Sequence, residues 1–270
     1  DAAAVLAGAE QVYLAVPSQS LRSNLQNWGS SIPKDAILVS LMKGVEKDTG
    51  LRMSEVIAQA TEFPTAQIVV VSGPNLALEI ANEEPAASVA ASSSKASALA
   101  VAKAASNSYF TTFTNGDVIG TEFGGILKNL IAVAIGIVNG VGYGENTKAS
   151  IMTRGLAEIS RFAVAYGAQP NTMIGLAGLG DLIATSESPL SRNHKAGEML
   201  GRGYSLREVL KRMSQTAEGL SSVKPILALA EAKGIAMPIV EQVHAVLDGR
   251  MDPRDIAPHL THETDGPVRE

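Results

Sequence analysis

The stretch Ile68-Val69-Val70-Val71-Ser72-Gly73-Pro74 decides how the chain folds. Its run of β-branched residues predicts a strand buried on both faces, and the Gly-Pro pair that follows predicts a turn. Comparable apolar runs lie upstream at residues 12–16 and 37–42 and downstream at 87–90 and 109–113, with helical stretches between them. This alternation is typical of a parallel sheet covered by helices on both sides.

From about residue 117 the pattern changes to long helical periods without a β-rich run. Helices are predicted at residues 122–140, 148–166, 192–200, 206–213, 218–233 and 239–247, and glycines such as Gly140 and Gly201 sit where helix ends are expected. We therefore expect an α/β domain over residues 1–116 and an all-helical substrate and catalytic domain over residues 117–270.

The composition restricts the class of protein. With 270 residues, of which 46% are hydrophobic and 18% charged, the chain is typical of a soluble globular protein. The net charge of −5 provides no overall basic field, so we expect no nucleic-acid partner. The absence of cysteine excludes disulfides, thiolate nucleophiles and Cys-ligated metals. The longest apolar run, residues 130–138, is shorter than the roughly 20 residues of a membrane span, so we expect no membrane contact and a cytoplasmic location.

A sheet of this kind usually binds a dinucleotide through a glycine-rich turn after its first strand, but no G-x-G-x-x-G occurs in this sequence. Three partial matches lack both the third glycine and a preceding strand. We interpret them as plain turns or helix ends: Gly140-Val141-Gly142, Gly178-Leu179-Gly180 and Gly201-Arg202-Gly203.

Two polar motifs follow predicted strands. Met42-Lys43-Gly44 follows one strand, and Ser72-Gly73-Pro74-Asn75-Leu76-Ala77 follows the next. Ligands of open α/β sheets bind beyond the carboxyl ends of the strands, which favours a binding role for both motifs. On local grounds, a solvated loop lysine and an ordinary strand-to-helix connection remain alternatives.

Two further motifs lie in the helical half. Gly124-Gly125-Ile126-Leu127-Lys128-Asn129 puts two glycines and a lysine on an apolar helix, which indicates close packing and a lysine that snorkels, pairs or transfers a proton. Asp181 is the only charge in its apolar segment, so we expect a cationic partner. Ser191-Arg192-Asn193 precedes a helix and could hold a phosphate, although a capped helix with a surface arginine is favoured when this motif is taken alone.

In this order the motifs resemble one family, the bacterial-type NAD(P)-dependent glycerol-3-phosphate dehydrogenases. The resemblance covers nearly the whole chain and implies an α/β Rossmann-like doubly wound parallel sheet, N-terminally incomplete, followed by an all-α C-terminal domain. The motifs that carry it are Met42-Lys43-Gly44-Val45-Glu46, Ser72-Gly73-Pro74, Glu122-Phe123-Gly124-Gly125-Ile126-Leu127-Lys128-Asn129, Thr153-Arg154-Gly155-Leu156-Ala157-Glu158, Gly178-Leu179-Gly180-Asp181-Leu182 and Ser191-Arg192-Asn193.

The resemblance implies an oxidoreductase that passes a hydride between NAD or NADP and dihydroxyacetone phosphate, forming sn-glycerol 3-phosphate for phospholipid synthesis. It also implies a homodimer. Lys128 would be the catalytic proton-transfer residue, with Asp181 orienting it and setting its charge state. Asn75 stands where the family often has Ser or Thr. The implied substrate-binding residues are Lys43, Gly73, Asn75, Lys128, Asp181, Ser191, Arg192 and Asn193, and the implied cofactor-binding residues are Lys43, Ala77, Arg192 and Glu218.

Other interpretations stay open at this point. The chain could be a related two-domain dehydrogenase acting on another hydroxy acid or sugar phosphate, or a truncated homologue without catalytic activity. His259, His262 and Glu263 have the spacing of a loose metal cluster, but their polar surroundings favour a solvated tail, so we expect no metal site. Since the family begins with a glycine-rich βαβ unit, we expect a further N-terminal segment of about two βα units.

We predict that these 270 residues alone bind NADH or NADPH weakly and turn over negligibly, because the pyrophosphate would lack the helix N-terminus that anchors it. They should also self-associate, since the strand at residues 12–16 would present an unpaired edge. Titration calorimetry checks the affinity directly. A dissociation constant of about 1 μM or lower would contradict the prediction.

Overall fold

The structure, a computed structural model, describes residues 1–213 and 217–256. In these residues the strands β1 to β5 cover Gln11–Leu14, Ile37–Ser40, Ile68–Ser72, Ala86–Ala91 and Phe110–Asn115. The helices α1 to α5 cover Ala2–Leu6, Leu21–Trp28, Met53–Thr61, Ala77–Ala81 and Lys95–Ala105. The helices α6 to α13 cover Val118–Val141, Glu145–Ala165, Pro170–Met173, Asp181–Glu187, Arg192–Gly201, Leu206–Arg212, Glu218–Ala232 and Pro238–Leu247.

Most predicted elements are confirmed, and the chief omission lies around residues 170–187. There the chain forms α8, a π-helical turn at Leu176–Gly180 and α9. Glycines have poor helix propensity, so Gly175, Gly178 and Gly180 concealed these elements. Gly178 therefore belongs to a π-helical turn rather than to a plain turn, and a Cβ there would overlap the backbone of Met173.

Contacts between residues divide the chain into two compact units. Unit 1 contains residues 1–126 and 162–181, and unit 2 contains residues 127–161 with those described from 182 onward. Helices α6 and α7 each contribute residues to both units. The division into sequence domains after residue 116 stays a prediction.

The sheet of unit 1 has the strand order β1-β2-β3-β4-β5. The pairs β1–β2, β2–β3 and β4–β5 are parallel, which confirms a Rossmann-like sheet dominated by parallel strands. The expectation that every strand is parallel is wrong for β3–β4, which pair antiparallel with Ser72 opposite Val89. The connection between them contains one helix of five residues, α4. Such a helix spans about 7 Å, too little to carry the chain back along a strand of about 20 Å.

Helices cover both faces of this sheet, as the apolar runs predict. Leu38 and Ile68 point to a cluster that includes Leu25 and Ile57 of α2 and α3. The next residue of each strand, such as Val39, points to a second cluster with Val101 and Ala102 of α5. Successive strand residues face opposite sides, so burial of both sets explains why the strands are apolar throughout.

In unit 2, helices α6 and α10 pack with their backbones in contact. Gly136 and Gly140 of α6 face Gly197 and Gly201 of α10, and a Cβ on any of these four glycines would overlap backbone atoms of the other helix. As the sequence analysis expected, Gly140 and Gly201 lie at helix ends, one residue before the last residue of α6 and at the last residue of α10. Both glycines also allow the close packing of the two helices.

Helix α6 is mostly apolar. An 18-residue window within its 24 residues has a mean hydropathy of 1.6, enough by length and composition to cross a membrane, but 83% of that window is buried inside the protein. Its apolar surface is therefore already covered by other parts of the chain, as in the core helix of a globular protein.

Glu158 of α7 caps helix α13. Its two carboxylate oxygens accept hydrogen bonds of 3.0 and 3.1 Å from the backbone N–H groups of Ile239 and Val240. These N–H groups belong to the first turn of α13 and have no partner inside the helix. Glu158 is 1% exposed, and burial raises its pKa to about 7. The acidic residue of the 153–158 motif therefore has a structural position.

We predict that stability falls as the pH rises from about 4.5 to 7, because the folded chain holds the proton of Glu158 more tightly than the unfolded chain does. The contribution of Glu158 to the free energy of unfolding is complete below pH 4.5 and is lost above pH 7. The loss is about 3 kcal/mol, because each unit of pKa difference corresponds to about 1.4 kcal/mol. Denaturant unfolding of the parent and Glu158→Gln at both pH values isolates this term. Equal pH slopes for the two proteins would rule it out.

Candidate functional site

In unit 1 the lysine that follows β2 meets the carboxylate that begins α9. The Nζ of Lys43 lies 2.5 Å from an Oδ of Asp181 and donates a second hydrogen bond of 3.1 Å to the carbonyl of Gly73. Asp181 is 2% exposed, whereas the Lys43 side chain is 21% exposed. The cationic partner expected for Asp181 is therefore confirmed, and the pair leaves the lysine accessible from one side.

The loop that carries Lys43 is fixed by hydrogen bonds from residues that precede and begin α2. Arg22 of α2 donates two hydrogen bonds of 2.8 Å to the carboxylate of Glu46, and Gln19 donates one to the carbonyl of Val45. Its hydrogen bonds with Arg22 hold the pKa of Glu46 below its usual value. The loop is thus fixed by contacts that do not involve the Lys43 ammonium.

The turn after β3 is fixed by glycine geometry and by a buried serine. Gly73 has a φ of 143°, and a Cβ there would lie 3.1 Å from the Cα of Ser88, so only glycine fits. Asn75 donates a hydrogen bond of 3.0 Å from its amide nitrogen to Ser88. Ala77 lies exposed at the first position of α4.

The two glycines of the 124–129 motif explain how α6 approaches this turn. A Cβ on Gly125 would overlap the hydroxyl of Ser72 and would lie 3.4 Å from the side chain of Lys43. A Cβ on Gly124 would lie 2.5 Å from the carbonyl oxygen of Ala177. The close packing expected from the glycine pair is confirmed.

Glu122, just before those glycines, anchors α6 to the start of α3. Its carboxylate accepts hydrogen bonds from the backbone N–H and the hydroxyl of Ser54 and from Arg52, at 2.9, 2.6 and 2.6 Å. Burial raises the pKa of Glu122, and the nearby Arg52 opposes that shift. This group is structural, since all of its partners are protein atoms that hold two helices together.

In unit 2, Lys128 is 6% exposed on the apolar helix α6 and donates a hydrogen bond to the hydroxyl of Thr185. Thr185 lies four residues after Asp181, so the two share one face of α9. Simple snorkelling, in which the ammonium extends into water, does not describe this lysine because its whole side chain is buried.

The start of α10 forms the second group of unit 2. Asn193 donates to the amide oxygen of Asn129 at 2.8 Å and accepts from the backbone N–H of Gly219 at 2.9 Å, which ties α10 to α6 and to the start of α12. Ser191 caps α10 by accepting from the backbone N–H of His194, and no residue in the described part of the chain accepts its hydroxyl proton. Arg192 is exposed at the first position of α10.

Contacts therefore join Lys43, Gly73 and Asp181 in unit 1. In unit 2, Glu218 is the first residue of α12 and directly precedes Gly219, whose N–H binds Asn193. Sequence reasoning missed Thr185, Asn129 and Ser88 as partners of site residues. A helix prediction starting at Asp181 would have found Thr185 through its spacing. The three tail residues at positions 259, 262 and 263 lie outside the described part of the chain.

The chain is similar to known proteins along nearly its whole length. Residues 1–98 and 117–258 match the family profiles of the NAD-dependent glycerol-3-phosphate dehydrogenase N-terminus and C-terminus. The glycerol-3-phosphate dehydrogenase (NAD(P)+) of Leifsonia xyli subsp. xyli is 67% identical over 94% of this chain and 69% of its own length. That of Frankia casuarinae is 55% identical over 99% and 80%. The crystal structure of glycerol-3-phosphate dehydrogenase from Coxiella burnetii has a TM-score of 0.91 at 32% identity, covering 97% of this chain and 80% of that one.

Proposed function

The chain belongs to the NAD-dependent glycerol-3-phosphate dehydrogenases, which are NAD(P)-dependent oxidoreductases. On this basis we propose which of its side chains take part in the interconversion of dihydroxyacetone phosphate and sn-glycerol 3-phosphate. The reaction moves a hydride to a ketone carbon and a proton to its oxygen. The chain must therefore supply a proton donor, an anchor for the phosphate and a place for the nicotinamide. The two groups of polar side chains supply candidates for each.

The observation that carries this proposal is the burial of Lys128. An ammonium that is 6% exposed has lost most of its hydration, and it is held by a hydroxyl rather than by open solvent. A buried ammonium that is fixed by a hydrogen bond can transfer a proton to a forming alkoxide. Lys128 is accordingly our candidate for the general acid in ketone reduction and for the general base in the reverse reaction.

Lys43 and Asp181 are proposed to bind the substrate and to hold the charge of the site near neutrality. The ion pair gives the buried carboxylate of Asp181 a cationic partner in Lys43, which is partly exposed. Asp181 is also proposed to set the orientation and charge state of Lys128, since Thr185, the hydrogen-bond partner of Lys128, stands one turn after it on α9. Gly73 and Asn75 are proposed to contact the substrate from the turn after β3.

The phosphate is proposed to bind at the start of α10. Ser191 retains a hydroxyl proton, Arg192 offers a planar pair of N–H donors, and Asn193 is fixed by two hydrogen bonds. The N-terminus of a helix favours an anion, and an exposed guanidinium there adds a charged donor. Binding the phosphate holds the substrate by a group remote from the reacting carbon.

The side chains proposed for the cofactor have the chemistry it needs. Lys43 and Arg192 are cations suited to phosphate oxygens, the Glu218 carboxylate can accept from a hydroxyl or amide, and Ala77 leaves room at the start of α4. A bound nicotinamide supplies the hydride. The wider role that we propose is the supply of glycerol 3-phosphate for phospholipid synthesis by a cytoplasmic homodimer.

Lys128→Met should lower kcat by about 10² to 10⁴ in the complete gene product, because a positioned general acid is lost. Methionine fills a similar buried volume, so the thermal midpoint should change little. Lys148→Met, which removes a lysine paired with the exposed Glu145, is the matched control and should keep parental kcat. Near-parental turnover of Lys128→Met would remove Lys128 from the mechanism.

Arg192→Lys should raise KM for dihydroxyacetone phosphate about tenfold or more, since the charge remains but the planar two-donor group is lost. The melting temperature should stay the same because Arg192 is exposed. Arg202→Lys, just after the other end of α10 and paired with Glu198, serves as the control. Unchanged KM together with a lowered melting temperature would mark Arg192 as a structural residue.

A further inference from the structure

Ser88 lies on β4, fully buried, and makes two hydrogen bonds to the turn after β3. Its hydroxyl donates to the carbonyl of Ser72 at 3.0 Å, and it accepts from the amide nitrogen of Asn75 at 3.0 Å. The backbone of Gly73 also passes close to the Cα of Ser88. One serine side chain therefore contacts the turn on both sides of Gly73.

The antiparallel pairing of β3 with β4 makes these contacts possible. Antiparallel register pairs Val89 with Ser72 and Ala91 with Val70, so the first half of β4, which contains Ser88, extends past the end of β3 and lies alongside the turn. In a parallel pair, the first half of β4 would lie beside the start of β3 instead. The departure from an all-parallel sheet thus puts Ser88 at the carboxyl edge where β3 ends.

The single proton of Ser88 determines which atom of Asn75 remains available. A hydroxyl has one proton, and Ser88 gives it to the Ser72 carbonyl. Ser88 can then meet Asn75 only as an acceptor, so the NH₂ group of Asn75 must point towards it. The carbonyl oxygen of Asn75 points elsewhere, and it is buried without a hydrogen-bond partner among the described residues.

We propose that Ser88 is a positioning residue that fixes the amide of Asn75 so that its carbonyl oxygen accepts a hydrogen bond from a hydroxyl group of the substrate. This inference rests on the proposed function. A phosphate ester near neutral pH has acceptor oxygens and almost no proton to donate, so it cannot satisfy a carbonyl oxygen. The terminal hydroxyl of dihydroxyacetone phosphate can. A buried acceptor without a donor is unfavourable, and a substrate hydroxyl removes that deficit.

The test uses Ser88→Ala, Asn75→Ala and the double variant that carries both substitutions. A separate variant, Ser92→Ala, is the control. Ser92 is the matched control because it is also buried near β4, and its hydroxyl donates to the carbonyl of Ile68 at the far end of β3. Each variant is assayed in the complete gene product with dihydroxyacetone phosphate and with acetonyl phosphate, which has a methyl group in place of the terminal hydroxymethyl. Melting temperatures and KM for NAD(P)H are measured in parallel.

We expect Asn75→Ala and Ser88→Ala to raise KM for dihydroxyacetone phosphate about 5- to 10-fold, as for loss of one hydrogen bond, with little change in kcat. KM for acetonyl phosphate should not change. The double variant should match Asn75→Ala, because Ser88 acts through Asn75. Ser92→Ala should lose stability to a similar degree as Ser88→Ala and keep parental KM. Asn75 is only half-buried, so its variant keeps the test valid if Ser88→Ala does not fold.

Several outcomes would overturn the inference. Equal KM changes for both ketones would mean that the terminal hydroxyl is not recognised by Asn75. A change confined to KM for NAD(P)H would assign the Asn75 oxygen to the cofactor. If the increases in KM for dihydroxyacetone phosphate add up in the double variant, Ser88 does not act through Asn75. If Ser88→Ala keeps the same KM as Ser92→Ala, Ser88 is not a positioning residue. In both cases the proposed function stands. A parent protein that does not reduce dihydroxyacetone phosphate would instead refute the proposed function and this inference together.

Discussion

The close approach of backbones along helix α6 is the constraint on which the rest of the structure depends. At Gly124, Gly125, Gly136 and Gly140 an added Cβ would overlap neighbouring atoms, most of them backbone atoms that cannot move aside. Four glycines weaken a helix by about 1 kcal/mol each relative to alanine. The gain is that at Gly124, Gly136 and Gly140 the helix meets neighbouring backbone with no side chain in between, and the same helix carries Lys128 and Asn129. A side chain on a packed helix keeps its geometry better than one on a loop.

Buried charge imposes a second condition, and the chain meets it by pairing. Asp181 faces Lys43, and Glu122 faces Arg52 with two further donors from Ser54. Removal of either partner would leave an uncompensated charge in a medium of low polarity. Each pair also joins segments far apart in sequence. Electrostatic neutrality and the positions of the site loops therefore depend on the same contacts.

Particular residues show what the sequence could and could not predict. Ile68–Ser72 and Arg192–Gly201 were predicted within a residue because β-branched runs and helical periods are strong local signals. The direction of β4 could not be predicted, since a strand buried on both faces has the same composition whichever way it runs. The need of Asp181 for a cation followed from its apolar surroundings, but the choice of Lys43 depends on tertiary packing. Ser88 gave no signal at all, because one serine in a strand resembles any other.

The composition of α6 also has a consequence during synthesis. This helix leaves the ribosome seconds before α10, which covers one side of it, because chains grow at roughly 5–20 residues per second. In that interval α6, which contains an 18-residue window with the hydropathy of a membrane span, is not yet covered by α10. Lys128 stands near the midpoint of α6, where a lysine costs about 2.5–3.5 kcal/mol for insertion into a bilayer. Lys128, which we propose transfers a proton in the folded enzyme, therefore also disfavours insertion of α6 into a membrane during synthesis.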